Sequence, residues 1–430
     1  MLSPLVLAPL LAAALLAQPC AGYPPASSNP IFEALVDRTA PLRKRSHVAL
    51  VERAAVKCAA TTDCSKAGYA LPNNSHYACN KARGVCTFGC NAGYSTSGST
   101  CVKVATSSFK AAAATTKSAR PAGPTAPAAT PVLQRTYAGS SFYDQFNFWS
   151  AADPTHGSVT YLTREAATAK KLVSVSSSGT AILQIDRTSR LAVGAPRNSV
   201  RIESKEVYQP GSLVILDLKH APVGPSVWPA FWMYNYPWPN SGEIDILEGV
   251  NSRTFGQYTL HTAPGCTRNP ATKMTGDTAG VDNNCNSGGG ANGCTVFDRD
   301  PTSYGAGFNK AGGGVFAVLF AETGISIWRW QRSKVPSDIK SGAPRWKTWG
   351  TPVAAFDGSA CDTRSFFRNQ QLTFDITTCG DWAGSQAVWR DASVSGAVYP
   401  KYKTCAAANA DPAAFVEAYF EINYLKVFGV

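Results

Sequence analysis

The sequence predicts an all-β protein built from two antiparallel sheets packed face to face. Three observations lead there. Short runs of apolar alternation recur from Thr136 to the end of the chain. Gly and Pro, 36 and 28 of 430 residues, punctuate those runs, and both residues mark turns. Long 3.6-residue periodicity is missing, so no extended helix is expected. The chain is 44% hydrophobic and 10% aromatic, enough for a sizeable core. Its formal charge of +12 invites a nucleic-acid reading, but Lys and Arg are scattered rather than clustered. Loose attraction to anionic wall material is the simpler reading of that excess.

In chain order, Met1–Ala21 carries the apolar run Leu5–Ala17. That run is too short to span a bilayer and reads as a signal peptide over 1–22, cleaved after Gly22. Residues 23–45 read as a propeptide ending at the basic triplet Arg43-Lys44-Arg45, and 46–57 as a connecting segment. Residues 58–101 hold six cysteines, Cys58, Cys64, Cys79, Cys86, Cys90 and Cys101. A segment this short cannot stabilise itself by burial, so disulfides would carry it. Residues 102–134, rich in Ala, Thr, Ser and Pro, read as an extended linker. Six further cysteines run from Cys266 to Cys405. An even count in each region argues for closed disulfide sets in an oxidising compartment. Without a Cys-x-x-Cys pair, zinc is not expected.

A large β-rich domain is expected over 135–430. Its strands include Ala181–Ile185, Leu213–Leu218, Val315–Phe320 and Ile325–Trp330. Phe420, Ile422 and Tyr424 alternate with polar residues in a last strand. No hydrophobic tail follows, so a membrane anchor is not expected.

The most informative stretch is Glu243-Ile244-Asp245-Ile246-Leu247-Glu248. On a strand, Glu243 and Asp245 share a face. Glu248 would point away unless a β-bulge near Ile246–Leu247 returned it. Gathering acids costs energy, because like charges raise one another's pKa. Retaining glycoside hydrolysis uses that cost: one carboxylate attacks and one carboxylic acid protonates. Five residues of straight strand span roughly 16 Å, so a bent, twisted sheet with a groove is expected.

This hexapeptide resembles the signature of glycoside hydrolase family 16 in its bulged, laminarinase-type form. Separated motifs agree in order: Ser199-Val200-Arg201-Ile202, Trp228-Pro229-Ala230-Phe231-Trp232, Trp238-Pro239-Asn240-Ser241-Gly242, Thr259-Leu260-His261-Thr262 and Cys379-Gly380-Asp381-Trp382-Ala383-Gly384. The neighbourhood is similar to that of fungal endo-1,3(4)-β-glucanases, over about residues 136–430. The resemblance implies a β-jelly roll with a concave substrate groove. It also implies Glu243 as nucleophile, Glu248 as general acid and then base, and Asp245 as electrostatic and hydrogen-bonding support. Trp232, Trp238 and Trp382 would line the groove, since aromatic faces stack on sugar rings. His261 would lie beside the acids, and Arg201 would contact a sugar on the non-reducing side. Trp228 reads instead as core, and so do Trp328 and Trp330. Ala271–Cys294 reads as a disulfide-tethered loop that walls the groove.

The chemistry calls for no cofactor and no metal, although the family often carries a structural calcium on its convex face. The expected partner is a β-glucan polysaccharide such as laminarin, a lichenan-like glucan or cell-wall glucan. The protein is expected to be secreted and monomeric, with no nucleic-acid partner. Two rivals stand beside hydrolysis. One is a transglycosylase, in which a sugar hydroxyl replaces water. The other is a non-catalytic glucan-binding protein, which the presence of Glu243, Asp245 and Glu248 argues against.

Overall fold

The computed structural model describes residues 130–288 and 292–430, with the strands at 75–80, 85–90, 94–97 and 100–103. The expected signal peptide and propeptide lie outside the described residues, as do the side chains of the six-cysteine segment; of the expected linker 102–134, the last residues are described and enter the strand Val132–Tyr137, which pairs with Tyr419–Gly429. Contacts divide the chain into two units, Met1–Arg120 and Pro121–Val430. In the first, Ser75–Asn80 pairs antiparallel with Val85–Cys90, and Tyr94–Ser97 with Thr100–Lys103.

The second unit is a sandwich of two antiparallel sheets. The site sheet has seven strands: β1 (Phe146–Trp149), β2 (Arg201–Ser204), β3 (Val227–Tyr234), β4 (Glu243–Glu248), β5 (Gly256–His261), β6 (Cys294–Asp298) and β7 (Gln371–Thr378). Their spatial order is β6-β5-β4-β3-β7-β2-β1. The opposing sheet has eight strands and is centred on Ser212–His220, Gly314–Ala321 and Tyr419–Gly429. The expected strands at 181–185, 213–218, 315–320, 325–330 and 420–428 all fall on observed ones. The longest helices among the described residues have six residues. None is long and apolar enough to cross a membrane.

Alternation explains the layers. Phe231 and Met233 of β3, Ile244 of β4, Leu260 of β5 and Phe374 of β7 meet Val214, Leu216, Phe316, Val318 and Leu425 in one continuous core. Such residues are withdrawn from water on one face only, which leaves the other face of the site sheet free for polar groups. The opposing sheet is different, because both its faces are covered. Leu213, Ile215, Val315 and Leu319 point away from the main core and pack under Val335, Ile339, Trp346 and Trp349. Trp328 is buried there and Trp330 packs against the same cluster, so both serve packing as expected.

The six cysteines from 266 to 405 pair off as Cys266–Cys361, Cys285–Cys294 and Cys379–Cys405. The first two anchor the long segment between β5 and β6. The third fastens the chain just after β7 to the helix Cys405–Ala410.

Candidate active site

β4 departs from regular pairing at one place. Phe231 of β3 faces Leu247, and Trp232 faces Asp245, so Ile246 is the extra residue. The same irregularity breaks pairing with β5 between Asp245 and Glu248. Its cause is legible in the side chains. Ile246 and Leu247 are consecutive, yet both are buried in the core. Two neighbours can share a face only if one of them bulges. The bulge resets alternation and returns Glu248 to the face of Glu243 and Asp245.

Cross-strand register then assembles the site in rows. Tyr234, Glu243 and His261 stand opposite one another on β3, β4 and β5. The next row runs Glu203, Thr373, Trp232, Asp245 and Thr259. A third runs Trp149, Arg201, Asp375, Ala230, Glu248 and Gln257. Just before β4, Gly242 has φ +75, and a Cβ there would meet the Phe366 carbonyl at 2.4 Å. Only glycine brings the chain into β4 on this path.

Each acid has its own partners. The Trp238 indole N–H donates to Glu243 Oε2. The Trp228 indole N–H donates to Glu248 Oε1 at 2.9 Å, and the Gln257 amide donates to Glu248 Oε2 at 3.2 Å. Asp245 is buried, and its Oδ2 lies 3.2 Å from His261 Nε2. The other ring nitrogen of His261 meets Ser287 Oγ at 2.6 Å.

Burial raises the Asp245 pKa well above the carboxylate range; Glu243 and Glu248 add to this and His261 opposes it. Burial also raises Glu248, with Glu243 adding, while Trp228, His261 and Gln257 pull the other way. Burial alone would lower His261, but Glu243, Asp245 and Glu248 outweigh it and bring the imidazole to about 9. The surface therefore gathers buried carboxyl groups whose protonated form burial favours beside an imidazole whose charged form they favour.

The structure places the remaining predicted residues as follows. Trp232 stacks on Tyr234 with ring centroids 4.4 Å apart, and its N–H donates to Asp375 Oδ1 at 2.8 Å. Trp238 is 45% exposed at the edge of the site. Trp382 lies on the short helix Gly380–Ala383 and packs edge-on to Trp228 at 5.5 Å. The reading of Trp228 as core is corrected: it is four residues from Trp232 on the same strand, so it shares that outer face. Arg201, expected to contact a sugar, is instead buried among protein partners. It is 4% exposed, with its guanidinium 2.9 Å from Glu203, 2.8 Å from the Tyr234 hydroxyl and sandwiched between the Trp149 and Trp232 rings.

Asp375, Gln257, Arg253 and Ser287 join the site without having been singled out in the sequence. Asp375 had one available signal, since Thr373, Asp375 and Thr377 alternate with the apolar Leu372, Phe374 and Ile376. Gln257, Arg253 and Ser287 carry no pattern in one dimension.

Residues 146–428 match the family description "XgeA-like, catalytic GH16 domain". The chain belongs to glycoside hydrolase family 16. This family-16 chain is 41% identical over 310 residues to a probable glycosidase of Schizosaccharomyces pombe, covering 71% of each. It is 40% identical over 298 residues to a probable endo-1,3(4)-β-glucanase of Aspergillus fumigatus, covering 69% of this chain but only 45% of that one. Among solved structures, laminarinase 16A of Phanerochaete chrysosporium, with β-glucans in donor and acceptor sites, is 38% identical at TM-score 0.64. An elongating family-16 β-1,3-glucosyltransferase is 39% identical at TM-score 0.62. Each covers 70% of this chain and is itself wholly covered. The jelly-roll fold and the family expected from the motifs are thus in place.

Among the described residues, the His, Cys, Asp and Glu groups close enough to hold a metal are Glu243, Asp245 and His261, whose ligand atoms lie within 4.8 Å of one another. All three belong to the acid cluster already described, where His261 is the partner of Asp245. Asp381 lies on the surface, 2.9 Å from His156.

Proposed function

We propose that the protein is a secreted endo-β-glucanase. It would hydrolyse internal β-1,3 bonds, and β-1,4 bonds next to β-1,3 bonds, with retention of configuration. The observation that carries this reading is the bulge of β4, which brings Glu243, Asp245 and Glu248 onto one face. The two glutamates keep different company. Glu243 takes the Trp238 N–H and lies in the row of His261, which suits an ionised nucleophile. Glu248 has its pKa raised by burial, which suits a proton donor. In the first step Glu243 attacks the anomeric carbon, the glycosidic C–O bond breaks and the Glu248 proton passes to the leaving oxygen. In the second, Glu248 takes a proton from water, whose oxygen displaces Glu243. Asp245 and His261 hold the charge balance beside the nucleophile. Trp232, Trp238 and Trp382 offer ring faces to sugars, with Trp228 beside Trp382. Arg201 acts from beneath, holding Trp232 and Trp149 in place.

The printed names of the relatives support a β-glucan substrate. Product analysis on laminarin, lichenan and a linear β-1,4 glucan tests the linkage, and proton NMR of the first-formed anomer tests retention. Undiminished release of reducing ends by purified Glu243→Gln would refute the assignment. A second reading, transfer to another glucan chain, is kept because the elongating glucosyltransferase is as similar as the laminarinase. Products longer than the substrate would favour it.

A further inference from the structure

Behind Glu248 stands a cation that the chemistry above does not use. Arg253 lies in the turn from β4 to β5 and is 3% exposed. Among the described residues it forms no ion pair, and its Nε is buried without a hydrogen-bond partner. Its guanidinium rests on the Phe255 ring at 4.0 Å, with Phe297 and Trp382 at 5.3 and 5.8 Å. Its one side-chain hydrogen bond runs from Nη1 to Gln257 Oε1 at 2.8 Å. Burying a cation with no carboxylate in contact costs several kcal/mol, and Glu248 is the carboxylate whose charge opposes that cost. An apolar residue would fill the same space among these rings without that cost.

The chemistry of the amide supplies a reason. Gln257 can offer Glu248 either its oxygen, which repels a carboxylate, or its NH2, which binds one. Arginine only donates. With Arg253 holding Oε1, the NH2 must face Glu248, where it donates to Oε2 at 3.2 Å. Trp228 holds the other oxygen.

We propose that Arg253 and Gln257 are positioning residues for Glu248: the buried guanidinium locks the Gln257 amide, and the amide stabilises the carboxylate that forms as Glu248 gives its proton to the leaving oxygen. The inference rests on the assignment of Glu248 as acid and base. Other charged or titratable groups facing Glu248 are Glu243 and Asp245 on β4, His261 on β5 and Tyr304 beyond the turn. Asp375 lies across Ala230 in the same row. All of these stay in place in the test.

The test compares wild type, Arg253→Met, Arg253→Lys and Gln257→Met on two substrates. Laminarin needs its leaving oxygen protonated. A dinitrophenyl β-laminaribioside does not, because its leaving group departs as a stable anion. The relay requires that Arg253→Met and Gln257→Met lower kcat/KM on laminarin by about tenfold or more, and on the aryl glycoside by less than about threefold. It also requires the basic limb of the laminarin pH profile to move upward, and Arg253→Lys to recover part of the loss. Equal losses on both substrates, or an unmoved basic limb, would overturn it. Should Arg253→Met fail to fold, Gln257→Met decides alone. Wild type inactive on both substrates would sink the glucanase reading; an active wild type with an unmoved substrate ratio would sink only the relay.

Discussion

Trp228→Phe isolates one hydrogen bond at the acid–base residue. Phenylalanine keeps an aromatic ring against Trp382 but loses the indole N–H that donates to Glu248 Oε1 at 2.9 Å. A hydrogen bond to a charged group is worth about 1.5–3 kcal/mol. The protonated acid still accepts part of that bond through its carbonyl oxygen, so about half favours the ionised form alone. At about 1.4 kcal/mol per pKa unit, its loss should raise Glu248 by roughly one unit. The direction agrees with the electrostatics, where Trp228 opposes the upward push of burial. Glycosylation needs Glu248 protonated, so the basic limb of kcat/KM should move about one unit to higher pH. A weaker acid also transfers its proton less readily, so kcat/KM at the optimum should fall severalfold. The assay is the initial rate of reducing-end release from laminarin across pH, fitted for wild type and variant. A basic limb that stays put while KM alone rises would mean that Trp228 only binds sugar, and the reasoning would fail.

Gly293→Ala should cripple the site, because a Cβ there would meet the Leu260 carbonyl at 2.4 Å and His261 Nδ1 at 2.8 Å, at a φ of +73; loss of activity exceeding loss of thermal stability would support this, and unchanged kinetics would not. Replacing both Cys285 and Cys294 by Ser opens a loop of sequence separation 9, which should cost about 2–3 kcal/mol in denaturant titrations and also weaken catalysis, since Ser287 within that loop holds His261. Asp375 is raised by burial to about 7, with Asp153 adding and Arg201 opposing. Because its folded pKa lies above the unfolded value, the native state keeps that proton longer and wild type loses stability as pH rises from about 4 to 7, with a ceiling of roughly 4 kcal/mol. Asp375→Asn should flatten that slope in denaturant titrations at several pH values, and an unchanged slope would refute the assignment. The same variant keeps an acceptor for the Trp232 N–H, so glucan binding should suffer less than in Trp232→Leu.

The acidic strand, its bulge and the sandwich of short strands were legible because they depend on local alternation. Ile246 and Leu247 side by side between Asp245 and Glu248 can both be buried only by bulging. The paired cysteines of 266–405 were legible as a closed set, but not their partners, because pairing depends on where loops meet. Trp228 was misread although its spacing from Trp232 carried the answer: a Trp-Pro-Ala run on a central strand looks like core until one face of that strand is known to be the site.

The layered all-β architecture, the face on which the acids gather and the family are written along the chain, because alternation and a contiguous motif are one-dimensional properties. What surrounds each acid is set only on folding. Trp228, Gln257, Arg253, Asp375 and Ser287 come from different strands, a turn and a disulfide-closed loop. Their meeting depends on register between neighbouring strands and on burial, and these quantities arise only when distant segments pack and exclude water.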